Sequence, residues 1–333
     1  MTSLPVGATV RRAYGFAIRG FLRNLAVAWL PGVLLAALLA FSLPRLLAAL
    51  AQFAHGLAHV SDPHRDVIVL ATGVAVIMRY GLLIAVGSLF FRAQIMTGLT
   101  QRALGQKAGI AGAYFSLGAT FWRVFGAYLL IFLLLMAVQL VASLLLVLPT
   151  IILVGIGHSA TRGGAVVAFF ALWRLALFVV VSYLFIRLAF VVTAVIVAEK
   201  RFDLIHPWRL VGGNVLRIFA VGLVIFVPLV LVLGVIYALV LGPAIWSLVL
   251  SLAHAHLYGR QLAVALIQDI SGGLTQLLAR RWFILLPFAL LSVTLEYGLA
   301  AGAGVAGYQF FVAGADQAEA PFPSLSSPGE PVP

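Results

Sequence analysis

The 333-residue chain contains no cysteine. That absence excludes disulfide staples, thiol catalysis and Cys-ligated zinc or iron–sulfur sites, and says nothing about compartment. Charge is nearly as scarce, at 9% of the residues, with nine acids against 21 Lys and Arg. A soluble globular chain averages roughly a quarter charged and half apolar residues. With 64% apolar residues and a mean hydropathy of +1.16, this chain cannot cover a water-soluble surface. It also lacks a Gly-Lys-Ser/Thr phosphate loop, a Gly-x-Ser-x-Gly elbow and paired carboxylates on a recognisable scaffold. Nothing supports soluble catalysis, and no cofactor is implied.

What the chain has is a series of apolar runs, each near or above the roughly 20 residues that cross a bilayer. They fall at about 25–44, 67–91, 124–154, 165–198, 216–242 and 282–311. The expected fold is an all-α, polytopic transmembrane helical bundle with interfacial amphipathic helices. It has six spans, or seven if 243–281 forms one more. In that stretch, 244–258 is apolar enough for the bilayer, while Arg260, Gln268, Asp269 and Gly272-Gly273 interrupt the remainder. The apolar run 25–43 exceeds a 7–15-residue signal-peptide core and reads as an uncleaved first span.

Residues 1–24 read as an interfacial amphipathic helix. Tyr14, Ile18, Phe21, Leu22 and Leu25 recur at helical spacing on one stripe, with Arg12, Arg19 and Arg23 on another face. Residues 25–311 form the transmembrane helical domain. After Phe311 five prolines fall within the last thirteen residues, and 312–333 reads as a disordered tail.

The net charge of +12 is first a topological signal. Basic residues gather at Arg11, Arg12, Arg19 and Arg23, at Arg92, Arg102, Lys107 and Arg123, and at Lys200, Arg201, Arg209 and Arg217. Loops rich in Lys and Arg stay cytoplasmic, which places the N-terminus inside. Anionic lipid headgroups are the expected partner, each juxtamembrane Lys or Arg contributing about 1 kcal/mol there. A membrane-protein partner or a second copy is also compatible with this chain. Nucleic acid is not, because the basic residues flank apolar spans and no soluble module carries them.

One pattern recurs: a short amphipathic helix, an interfacial Arg, then an apolar span. Phe121-Trp122-Arg123-Val124-Phe125 aligns with Val215-Leu216-Arg217-Ile218-Phe219, and Phe21-Leu22-Arg23-Asn24-Leu25 fits the same frame. Arg23, Arg123, Trp208 and Arg217 are thus candidate interfacial anchors. Such repetition occurs in many transporters, though any span preceded by an anchor helix looks similar.

The run Arg187-Leu188-Ala189-Phe190, Glu199, and Trp208-Arg209-Leu210-Val211-Gly212-Gly213-Asn214-Val215-Leu216-Arg217 resembles the integral membrane domain family of glycerophosphoryl diester phosphodiesterases. That family also includes free-standing bacterial membrane proteins of unknown function. Trp208, Leu210, Gly213, Asn214 and Arg217 fit its pattern, while Asp203 and Pro207 stand where Ala and Ser recur, and Tyr308 lacks the usual following charges. The resemblance implies six spans with both ends cytoplasmic, in a bacterial inner membrane. It does not imply hydrolase activity, since a separate soluble barrel performs that chemistry and this chain has no room for one.

Ionisable residues within spans are the remaining candidates, since each costs about 2.5–3.5 kcal/mol at mid-bilayer on insertion scales. Arg79 and Glu296 both fall near the middle of their spans and suggest an interhelical ion pair, either a structural lock or part of a solute or proton path. Arg174 and Arg187 cannot share one face and read as snorkelling toward opposite interfaces. His55 and His59, at i, i+4 spacing, with Asp62, His64 and Asp66, form the only metal-like cluster, without a His-Glu-x-x-His motif. The function class these features favour is a non-enzymatic protein organising lipids or partners at the membrane. The alternative is a small transporter or permease using the midplane pair.

Overall fold

The computed structural model describes residues 3–58, 63–106, 114–156, 163–254 and 260–319. All its long elements are helices: α1 (Val6–Tyr14), a π-helical turn (Gly15–Arg19), α2 (Phe21–Ala58), α3 (Pro63–Ala103), α4 (Ala119–Ile156), α5 (Gly163–Ala189), α6 (Val192–Glu199), α7 (Ile205–Leu210), α8 (Val215–His254) and α9 (Arg260–Glu319). No strand occurs among the described residues. Six stretches among them are long and apolar enough to cross a membrane: Phe21–Phe53, Ala71–Ala103, Ala119–Val147, Ala168–Glu199, Val215–Leu239 and Arg280–Ala313. The chain is therefore a polytopic all-α membrane protein.

The stretch 243–281, which the sequence leaves open between six and seven crossings, lies almost wholly outside these six. The stretch is divided: α8 continues to His254, α9 starts at Arg260, and α9 breaks at Arg281, where φ is −125° and ψ 16°. Helix α9 also runs past the expected boundary at Phe311 to Glu319. Ala315, Gln317, Ala318 and Glu319 are good helix formers, and the first tail proline comes only at Pro321. Residues 320–333 lie outside the described residues.

Alternating spans bring α1, α6, α7 and the nearby ends of all six spans to one end of the bundle, the α1 end. The core is concentrated there. On α3 it comprises Ala93 to Thr100, on α4 Phe121, Val124, Ala127 and Ile131, on α8 Ile218, Val221 and Ile225, and on α9 most of Gly298 to Gly307. Helix α6 is buried from Val192 to Val197, as expected of a helix apolar all round. Its Val192, Ile196 and Val197 enter one core cluster with Leu99 and Phe121, and its Val195, with Val191 just before it, enters a second with Ile218 and Leu299.

Close approach at this end depends on small residues, the usual device where lipid removes any hydrophobic drive between helices. A Cβ on Gly304 would lie 2.8 Å from the carbonyl oxygen of Phe190, in the break between α5 and α6. One on Gly302 would lie 3.0 Å from the Ala13 backbone. Helix α1 packs on α8 and α9 through Thr9 and Ala13, and the π-helical turn follows with Ala17. Ile18 and Leu22, on the apolar stripe given by sequence periodicity, are 61% and 78% exposed. Thr9, Ala13 and Ala17 form the buried face, with Val10, Tyr14 and Phe16 packed beside them against the core.

Candidate functional site

The α1 end is tied together by side chains that bond to backbone breaks. Gly213 adopts φ +79°, a left-handed turn that glycine enters without steric cost, and it ends the α7 segment just before α8. Asn214 follows, and its Oδ1 accepts a 3.0 Å hydrogen bond from the Leu4 backbone N–H. Arg217 donates to the Leu4 carbonyl at 3.4 Å, so both backbone polar groups of Leu4 are held by the start of α8. Leu4 itself is 1% exposed. Across the same junction Arg187 stacks on the Trp208 ring at 3.8 Å, donates to the Trp208 carbonyl and bonds the Tyr183 hydroxyl. Asp203 caps α7 by accepting from the Ile205 and His206 N–H groups, and those bonds hold its carboxyl below the usual range. Glu199, at the end of α6, pairs with Arg201 at 2.6 Å and with His206 at 3.3 Å, and accepts from the Tyr308 hydroxyl.

A second junction fixes the π-helical turn. Arg102 donates to the Gly20 carbonyl and to Asn24 Oδ1, and its guanidinium lies 5.5 Å from the Phe16 ring. Asn24 in turn donates to the Phe16 carbonyl. Nearby, Gln94 donates to the Ser116 carbonyl and Tyr114 donates to Gln101, tying the segment before α4 back to α3. Burial pushes the Tyr114 phenol up to about 12.

Between α5 and α8 a cleft of about 520 Å³ remains. This lies within the roughly 300–1,000 Å³ typical of small-molecule sites. Phe185, Ile186, Phe219, Phe226 and Leu231 supply much of its wall, and Ala300 and Ala303 of α9 part of its back. Both α5 and α8 are membrane spans, with Phe185 and Phe219 on their exposed faces. The cleft is therefore open sideways to lipid.

Its polar residues are few: Arg92, Tyr128 and Ser182. Arg92 lies 5.5 Å from the Tyr128 ring and 5.8 Å from the Tyr297 ring, and its Nε is buried without a hydrogen-bond partner. Its charge reaches Glu296, but no carboxylate forms an ion pair with it among the described residues. The fully buried Tyr128 hydroxyl lies 2.7 Å from Thr193 on α6 and is also a hydrogen-bonding neighbour of Arg92.

The structure does not bring Arg79 and Glu296 together. Arg79 is exposed beside Tyr80, and the cation near Glu296 is Arg92. The second span extends through Ala103, so Arg92 lies inside it and not beyond its end. Among the interfacial anchors, Arg123 bonds the Lys200 carbonyl, Trp208 and Arg217 belong to the α7–α8 junction, and Arg23 is exposed in the first turn of α2. Arg174 is exposed on α5. His59 and Asp62 lie outside the described residues, and of His55, His64 and Asp66 only the helical backbone is described. The cleft has one sequence signal: Ala93-Gln94-Ile95-Met96-Thr97-Gly98-Leu99 after Arg92 continues the span without a charge.

Comparison with protein-family models, curated proteins and solved structures returns no match to this chain. Fold and site therefore define a class, a six-span helical membrane protein with a lipid-facing cleft, and the functional reading rests on the site itself.

Proposed function

We propose that this protein is a non-enzymatic membrane organiser that holds a phospholipid of its own leaflet in the α5–α8 cleft. The observation that carries this reading is an apolar cavity open to lipid with an arginine on its inner wall. On this reading the basic residues at the α1 end face the cytoplasm by the positive-inside rule, and the membrane is the bacterial inner membrane that the family resemblance implies. The exposed Arg217, next to Ile218 of the cleft lining, then meets anionic headgroups at the cleft mouth, and the exposed Arg23 meets them at the start of α2. Kinship with the phosphodiesterase membrane-domain family belongs to the same proposal. It is supported by Trp208, Gly213, Asn214 and Arg217 serving one junction.

A permease would need a polar route, and the cleft wall is almost wholly apolar. A further cavity between α4 and α5, lined by residues such as Val138, Leu145 and Trp173, is apolar throughout. Gly222 offers a clean test of the lipid reading. It lines the cleft, and a Cβ there would meet nothing within 4 Å. Gly222→Leu should fold normally and fill the space. After detergent purification, native mass spectrometry should find a retained phospholipid on the wild type and none on the variant. Equal retention by both would contradict the reading.

A further inference from the structure

Resting on that lipid reading, we infer that Arg92 is a headgroup-selecting residue. The cleft binds an anionic glycerophospholipid, with the phosphate drawn in to the Arg92 guanidinium and the acyl chain lying between α5 and α8.

The state of the guanidinium comes first. An arginine side chain stays charged in proteins and offers five donors. Arg92 sits within a membrane span, lines the cavity and has no ion pair among the described residues. Its buried Nε lacks a partner, and the Tyr128 hydroxyl with the Tyr128 and Tyr297 rings stabilises the cation without accepting its full donor set. Glu296 is a carboxylate within reach of its charge, and that side chain is exposed on α9 with no ion pair to Arg92. A cation left in this state, on the wall of a cavity open to lipid, is complementary to an anion carried by a lipid.

Depth is consistent with this. On α4 the distance from Arg123 to Tyr128 corresponds to about 7–8 Å along the helix. The Arg92–Tyr128 level is therefore within reach of a phosphate pulled modestly below the headgroup plane, the kind of local displacement that accompanies arginines in bilayers. Arginine suits the task because its planar fork matches a phosphate in two directions, which a lysine cannot do. From that level the chain continues past Phe226 and Val230 toward Leu231, where the cleft wall is purely hydrocarbon.

The test uses full-length protein delipidated in detergent and titrated separately with phosphatidylglycerol and phosphatidylcholine, with occupancy read by native mass spectrometry. Wild type should prefer phosphatidylglycerol by roughly tenfold at one saturable position, the size expected of a charge-assisted contact. R92Q should bring the two lipids to parity while still binding both, and E296Q should widen the wild-type preference. An unchanged preference in R92Q overturns the assignment of Arg92, even with lipid still bound. Should R92Q fail to fold, R92K reads the same quantity: a preference several-fold weaker supports the role of the fork, and an unchanged one overturns it. Loss of phosphatidylglycerol on addition of millimolar inorganic phosphate would make this a free-phosphate site and also overturn the inference. Failure of the lipid reading looks different: wild type and G222L would then show no saturable binding of either lipid.

Discussion

The two halves of the bundle are built on different rules. At the α1 end Phe121, Val124, Ala127 and Ile131 of α4 are buried, whereas Leu133, Leu140, Leu144 and Leu145 farther along the same helix are exposed. Helix α8 changes in the same way, from buried Ile218, Val221 and Ile225 to exposed Val230, Val232, Val235 and Leu239. The α1 end is held by backbone-directed hydrogen bonds and by glycines that admit a neighbouring main chain. The distal half meets lipid, which solvates a leucine as well as another leucine does. Composition alone satisfies the distal half, while the α1 end depends on particular residues. The cleft belongs to the α1 end, where shape is specified.

The strongest way to break this contrast is to add bulk in each half. Gly304→Leu forces a side chain against the Phe190 carbonyl, a main-chain atom that cannot swing aside. It should cost about 3 kcal/mol or prevent folding. Gly234→Leu on α8 meets nothing within 4 Å and should be neutral, or stabilising by up to about 1 kcal/mol through helix propensity. Thermal unfolding in detergent compares the two, and similar losses would erase the distinction between the halves.

Alkaline titration gives the next effect. Burial holds the Tyr114 phenol neutral and raises its pKa from 10.0 to about 12. The neutral form is favoured in the fold, so its contribution is complete below pH 10 and is lost as pH rises through about 12. The stability difference between wild type and Tyr114→Phe should shift against the wild type by roughly 2 kcal/mol across that window. A pH-independent difference would show that the 114–118 segment is not packed against α3.

Smaller again is the N-terminal junction. Asn214→Ala removes the acceptor for the buried Leu4 N–H and should cost about 1–2 kcal/mol. Limited proteolysis should then cut within the first residues faster than in wild type, leaving the spans intact. Unchanged cleavage would mean that the N-terminal segment is held by α1 packing alone.

How much of this is legible in the sequence depends on which half carries the signal. Spans are readable because a bilayer demands long apolar runs, and the Trp208 to Arg217 pattern is readable because a tight turn and a bonded peptide require those residue types. The inward face of α1 escapes the sequence for a physical reason. Periodicity finds the stripe of large apolar residues, which in water would face the core. In lipid that stripe can face outward, and Thr9 and Ala13 of α1, with Ala17 in the π-helical turn, make the contact. Periodicity and hydropathy favour Arg79 over Arg92 because they end the second span at its first run of polar residues. In the structure α3 is one unbroken helix past that run, and the apolar span within it extends to Ala103. Tyr128 and Thr193 carry no sequence mark that pairs them, since their bond exists only because α6 folds back into the bundle.

Occupancy of the cleft by lipid is tested most directly by photolabelling. A phospholipid carrying a diazirine on its acyl chain would be incorporated with the protein into nanodiscs, irradiated, and its adducts mapped by peptide sequencing. Labelling should concentrate on residues 182–190 of α5 and 218–231 of α8, and Gly222→Leu should suppress it there alone. Labelling spread evenly over every exposed stretch, including 133–147 of α4, and unaffected by Gly222→Leu would show that the cleft holds no lipid.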